Sequence, residues 1–381
     1  MNQNDQSQST STRKTWAMPR YGRRLLALCA TAAISVAALF LVTLSDVRAA
    51  SRDTVSHPPL TGPPTPSRVV GNAKCVKCHA GEVNVWKRTP HAKTFLTLHR
   101  RPEAKKIAAA LGVRSVKHDG RCVACHYTGQ SDGGSGTDIV EGGFNRHVNV
   151  VSGVSCESCH GAARDWLDVH HDYGGQTVTR QTESPQHRQM RIARSVQLGM
   201  RNPHNVYAVA QSCYRCHTTA DETLVNVGGH PTGSLDFEFV AWSQGTIRHN
   251  FVRTDGKVNE VSDRNRLRVM FVAGLIADVE FSMRATGSAT EKARFGVTSA
   301  KRTARAIKRL NSAAKKVGDR APQLQEIMQI ATSVKLRLNN RRQLTAAADE
   351  IATLGYQFAQ TTRGENLQAI DAYIPPQSKW K

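Results

Sequence analysis

Four times the chain spells Cys-x-x-Cys-His. The copies are Cys75–His79, Cys122–His126, Cys156–His160 and Cys213–His217, and they use eight of the nine cysteines. On one helical turn the first and fourth positions share a face, and the fifth follows on the same side. Two thiols placed this way can add to the two vinyl groups of one porphyrin, with the histidine beneath the iron. The pattern is that of c-type haem attachment. It predicts four covalently bound c-type haems. Cys75, Cys78, Cys122, Cys125, Cys156, Cys159, Cys213 and Cys216 would be the attachment points, and His79, His126, His160 and His217 the proximal ligands. A zinc site wants four protein ligands, usually from two paired motifs. A redox dithiol does not require the histidine, and structural disulfides would not either. Four identical units, each carrying its own histidine, fit four separate irons better.

A haem with one histidine either takes a second axial ligand, as an electron carrier does, or keeps an open side that binds small molecules. Fifteen histidines less the four proximal ones leave eleven candidates, and the surplus points to bis-histidine ligation. His91 follows Trp86-Lys87-Arg88-Thr89-Pro90; Thr89 can cap and Pro90 start a helix that presents His91 from its first turn. Trp86 would pack on a porphyrin. His170 lies ten residues after His160, behind Gly161 and Trp166. His249 ends the stretch Trp242-Ser243-Gln244-Gly245-Thr246-Ile247-Arg248.

The segment Lys74–Leu98, containing CVKCHAGEVNVWKRTPHAKTFLTL, resembles the first haem segment of the cytochrome c-554 family, tetrahaem cytochromes of ammonia-oxidising bacteria. GVSCESCHG, with a histidine ten residues beyond, resembles that family's third. The order and rough spacing of all four motifs agree, over about Val69 to Arg253. The resemblance implies that His91 ligates the third haem and that His170, beside His171, ligates the first. It also implies that His249, after Phe237-Glu238-Phe239, ligates the fourth, with His230 as runner-up. The family's second haem is five-coordinate. No matched ligand is found for His126, although His118, His147 or His204 could fill the position.

These sites need an exported, helix-rich scaffold. Residues 1–24 are polar and basic. Leu25 to Leu44 is uncharged and apolar, and Val47-Arg48-Ala49 resembles a small-residue cleavage site, so 25–49 reads as a signal peptide or an uncut membrane anchor. Either places the remainder on the periplasmic or external face of the membrane, where c-type cytochromes mature. Cys29 lies in this run and is assigned no haem. Residues 50–68 form a Pro-rich spacer, and 69–253 the tetrahaem region, interrupted by an exposed Gly/Ser loop over Gln130–Gly136. Residues 254–381 form a cofactor-free helical bundle or hairpin. There Arg264 to Thr286 reads as a helix with Ser262 as N-cap. Ser288-x-x-Glu291 reads as a capping box opening a second, and Pro322 starts a third. Apolar stripes run from Leu324 to Leu338 and from Leu344 to Phe358. The fold class expected is mainly α with little β structure, one short helix per haem motif, and porphyrins supplying much of the core.

The chain has 52 basic against 30 acidic residues, a formal net charge of +22. That balance attracts anions, acidic proteins or lipid headgroups; an exported multihaem chain with no nucleic-acid motif excludes nucleic acid. The function expected is electron transfer between redox protein partners. The family resemblance implies a hydroxylamine oxidoreductase-like donor and a membrane quinone or cytochrome acceptor. The alternative is reduction of nitric oxide or a related nitrogen oxide at an open second haem.

Overall fold

Polar caps and prolines set where the helices of the haem region begin. In the computed structural model, residues 62–132, 138–140, 143–144 and 148–381 are described. The signal or anchor at 25–49, Cys29, most of the Pro-rich spacer, residues 133–136 of the Gly/Ser loop, and His147 lie outside them.

The first motif occupies a turn, and helix α1 (Ala80–Trp86) starts immediately after its histidine. Helix α2 (Pro90–Thr97) opens as expected: Pro90 is its first residue, and the Thr89 hydroxyl accepts from Ala92 N at 3.3 Å. Helix α3 (Pro102–Ala110) also starts on proline. Helix α4 (Gly120–His126) contains the whole second motif, its first turn held by the Asp119 carboxylate on Cys122 N. Strand β1 (Tyr127–Gln130) pairs antiparallel with β4 (Asn149–Gly153), and β2 (Ile139–Val140) with β3 (Gly143–Phe144). The third motif is itself helix α5 (Cys156–His160), opened by a Ser155/Ser158 capping box. After α6 (Pro185–Gln197), the fourth motif forms the last turn of α7 (Val206–His217), which Asn205 caps. Two short helices follow, α8 (Glu222–Asn226) and α9 (Phe239–Ser243). The chain is thus mainly helical, as expected, with two two-stranded sheets among the described residues.

The C-terminal helices are α10 (Arg264–Gly287), α11 (Arg294–Val317), α12 (Pro322–Ser333) and α13 (Arg341–Thr361). Helix α10 is buried along nearly its whole length, and its buried charges Arg268, Asp278 and Glu280 are each paired. It packs on α7, α9, α11 and α13. One apolar core joins Tyr207, Tyr214 and Phe239 with Ile276, Leu310, Ile327 and Ile351, and so spans the boundary expected at residue 254. Gly355 makes this closeness possible: a Cβ there would come within 2.5 Å of the Tyr207 ring. Buried Glu280 on α10 accepts from Tyr207 Oη at 2.6 Å and Gln211 Nε2 at 3.0 Å, and pairs with Arg284. It fastens the bundle to the fourth haem motif's helix.

Two expected helix starts move. Asp263, not Ser262, caps α10, accepting from Arg266 N at 2.8 Å, while Ser262 N is taken by Gln244 Oε1. Ser288-x-x-Glu291 does not open α11, which begins at Arg294. The backbone N–H groups of Thr290 and Glu291 are already committed to the Glu222 carboxylate, which holds that segment as a turn. In the Gly/Ser loop, Ser131 is buried on Asp138 Oδ1 at 2.6 Å rather than exposed. No helix among the described residues is long and apolar enough to cross a membrane.

Candidate multihaem site

Each motif histidine faces one histidine from elsewhere in the chain. The ring centres of His79 and His170 are 6.3 Å apart, of His91 and His217 6.3 Å, of His126 and His230 6.1 Å, and of His160 and His249 6.2 Å. The ring planes meet at 24°, 65°, 56° and 86° respectively. Packed aromatic rings would change separation as they changed angle. A constant separation at variable angle is what two imidazoles on opposite sides of one metal ion produce. The metal–nitrogen bond is about 2.0–2.1 Å and the ring centre lies about 1 Å beyond, so the centres fall about 6 Å apart.

Seven of these eight histidines are ones the sequence singles out as candidate ligands, and two of the facing pairs differ from the pairings expected. His170 faces His79, as expected, while neighbouring His171 is exposed and turns towards Asp168. His91 faces His217 of the fourth motif rather than His160. His249 faces His160 of the third motif rather than His217. His126 faces His230, the runner-up for another site, and His118 and His204 are exposed. The one local signal for His230 was its setting, Gly228-Gly229-His230-Pro231, a loop able to bring a side chain inward.

The outer nitrogens are held by the chain. Nδ1 of His230 donates to Pro231 O at 2.8 Å, that of His249 to Ile247 O at 2.6 Å, and that of His170 to Leu167 O. His160 Nδ1 is 3.4 Å from Arg201 O, and His79 Nδ1 is 3.6 Å from Glu82 Oε1. Such bonds fix the tautomer with the proton on Nδ1 and leave the Nε2 lone pair available to a metal. Burial pushes His126, His160 and His217 down to about 4, and lowers His91 and His170, so these rings are neutral as ligands must be. His79 goes the other way, raised by its bond to Glu82.

Supporting groups place these rings. His91 lies in the first turn of α2, where the Thr94 hydroxyl bridges its carbonyl and that of His126 at 2.8 and 2.7 Å. Gly153 lets β4 pass against that turn; a Cβ there would meet His91 O at 2.4 Å. Phe237 stacks on His217 at 4.2 Å and Trp166 abuts His170 at 5.3 Å. The buried Glu157 carboxylate, inside the third motif, accepts from Val70 N, Gly71 N and Ala163 N. It ties the chain entering the first motif to the third.

None of the eight motif cysteines is joined in a disulfide. Cys75 lies beside Cys156, and Cys125 beside Cys216, near enough for each thiol to perturb its neighbour. Ser212 Oγ donates to Cys159 O at 2.9 Å, and Arg215 Nη1 to Ala124 O at 2.8 Å. Among the described residues no three His, Cys, Asp or Glu side chains converge as a metal cage, which a tetrahedral zinc site requires. The residues do fit haem. Buried donors without an acceptor, Trp166 Nε1, Trp242 Nε1, Arg201 Nε and Arg215 Nε, ring the histidine pairs, and haem brings carboxylates.

Comparison with known proteins bears on residues 74–161, which match the family model described as cytochrome c554 and c-prime. The family is one of multihaem c-type cytochromes and implies c-type haem, electron transfer and an extracytoplasmic location. Cytochrome c-554 of Nitrosomonas europaea is similar, at 33% identity over 106 residues. That match covers 27% of this chain and 43% of the relative, so the chain spans less than half of that relative's length. No solved structure matches.

Proposed function

We propose that the chain is an exported tetrahaem electron carrier whose four irons would each be held by two histidines. The pairs would be His79/His170, His126/His230, His160/His249 and His217/His91. The observation that carries this reading is the single ring separation, 6.1–6.3 Å, repeated at four sites with unrelated ring angles. When bound, haem supplies a one-electron iron couple; the chain's part is spacing, ligation and local charge.

The cysteine neighbours support an order. The nearness of Cys75 to Cys156 supports a first site beside the third, and that of Cys125 to Cys216, with Arg215 on the Ala124 carbonyl, a second beside the fourth. Ser212 bonded to the Cys159 carbonyl joins third to fourth. The four sites then form one row: first, third, fourth, second. Bis-histidine ligation without methionine favours low potentials. His230 occupies the side of His126 on which catalysis at an open iron would depend, so transfer is favoured over nitrogen-oxide reduction. The partners would be a redox protein donor and acceptor, met outside the cytoplasm.

Intact mass and EPR of the oxidised protein test this together. Four covalent haems and only low-spin ferric signals are expected. Fewer haems, or a high-spin ferric signal in the native protein, would overturn the four-site bis-histidine reading.

A further inference from the structure

Helix α11 carries eight cations and no carboxylate: Arg294, Lys301, Arg302, Arg305, Lys308, Arg309, Lys315 and Lys316. Two of them turn inward to Asp278. Arg302 bonds it at 2.9 Å and also reaches the carbonyl oxygens of His217 at 3.2 Å and Ser234 at 3.0 Å; Arg309 lies 3.9 Å from the same carboxylate. The other six are exposed and have no ion-pair partner among the described residues. Their spacing sets them along one face of the helix, a ridge about 33 Å long at 1.5 Å per residue.

Local stability does not account for this ridge. Lys315 and Lys316 suit the helix C-terminus, but Arg294 is the first helical residue, where the helix dipole disfavours cations. Lys301 with Arg305, and Arg305 with Lys308, stand at the spacings where like charges repel. The apolar face of α11, with Phe295, Leu310, Ala313 and Val317, is buried in the core, so nothing greasy is left to enter a bilayer. On the flank of the ridge, Arg302 touches the backbone of a haem-motif histidine, His217.

We propose that the exposed ridge of α11 is the docking surface for an acidic redox protein, set beside the fourth haem site. The proposal rests on the electron-carrier reading above. Weak redox encounters use small interfaces whose rate is set by electrostatic steering, and a straight single-sign ridge supplies that steering.

The test uses the full haem-loaded protein and reduced flavodoxin, an acidic flavoprotein, as the probe donor. Stopped-flow rates are compared for wild type, for Lys301→Gln/Arg305→Gln/Lys308→Gln, and for a control of equal charge change on α3 and its approach, Arg100→Gln/Lys105→Gln/Lys106→Gln. The ridge variant is expected to slow about tenfold at low salt and to lose most of its salt dependence, with the control changing less than twofold. Reduction by photoreduced lumiflavin, small and without net charge, is expected to be the same in all three. Equal slowing in ridge and control variants, or none in either, overturns the proposal. So does a ridge variant that keeps its flavodoxin rate yet loses binding to phosphatidylglycerol vesicles, which would make the ridge a lipid contact. If lumiflavin reduces none of the three proteins, the carrier reading itself fails.

Discussion

His126 and His230 face each other with ring centres 6.1 Å apart, although one ends helix α4 and the other sits on a glycine-rich loop after α8. The loop carries His230 there because Gly229 adopts a positive φ of 71° and the ring's Nδ1 is anchored on Pro231 O. His230→Ala therefore opens one coordination position and leaves the other three sites paired. One high-spin ferric signal, and binding of one carbon monoxide per reduced chain, are expected in the variant and not in wild type. A variant that stays wholly low-spin would remove His230 from the ligand set.

The pairing of His91 with His217, and of His249 with His160, separates the geometry from the family-based assignment. Phe237 stacks on His217 at 4.2 Å and labels that site. In His91→Ala the new high-spin haem is expected to broaden the proton resonances of the Phe237 ring. In His249→Ala those resonances should stay sharp. The reverse pattern would restore His91 to the third site and His249 to the fourth.

What was legible in the sequence followed from local rules. The motifs, the Thr89-Pro90 helix start and the α13 stripe are each decided locally, whereas the stripe from Leu324 overruns its helix, which ends at Ser333 and leaves Val334 and Leu338 beyond it. Pairing across the chain is not decided locally. His91 and His249 could each have served either of two neighbouring irons, and only packing of β4 on α2 and of the Phe237 segment on His217 chooses. His230 escaped because a loop histidine after two glycines has no periodicity to betray a direction. The Ser288-x-x-Glu291 box misled because its backbone donors are satisfied by Glu222, distant in sequence.

Glu157 is the next residue on which the site depends. Its buried carboxylate accepts from Val70 N at 3.0 Å, Gly71 N at 2.8 Å and Ala163 N at 2.8 Å. Glu157→Ala strands three N–H groups, and at roughly 1–3 kcal/mol for an unsatisfied buried group the loss should be about 3 kcal/mol or more. Glu157→Gln keeps an acceptor and should cost less. Denaturant unfolding of the haem-loaded variants measures both. A loss under about 1 kcal/mol for alanine would mean that water replaces the carboxylate.

The Glu183–Arg191 pair should give the first haem site an acid-sensitive support. Glu183 accepts from Arg191 Nε at 2.7 Å, Arg191 Nη2 at 2.6 Å and His187 Nδ1 at 2.7 Å. Arg191 Nη1 in turn donates to the carbonyl of His170, the ring facing His79, at 2.5 Å. The Arg191 guanidinium, followed by the His187 bond, pulls the Glu183 carboxyl from its ordinary 4.5 down to about 2. The folded value lies below the unfolded one, so the stabilisation is fully present above pH 4.5. It is lost as pH falls through that value towards 2. Glu183→Gln should therefore be less stable at pH 7 and should unfold with a shallower pH dependence between 4.5 and 2, because one proton fewer is taken up. Unchanged pH slopes would show that the carboxyl is not held low. Since Arg191 also holds the segment carrying His170, the variant's low-spin signal at the His79 site should broaden while that of the His126 site does not. A change at both sites would trace the effect to general unfolding rather than to this link.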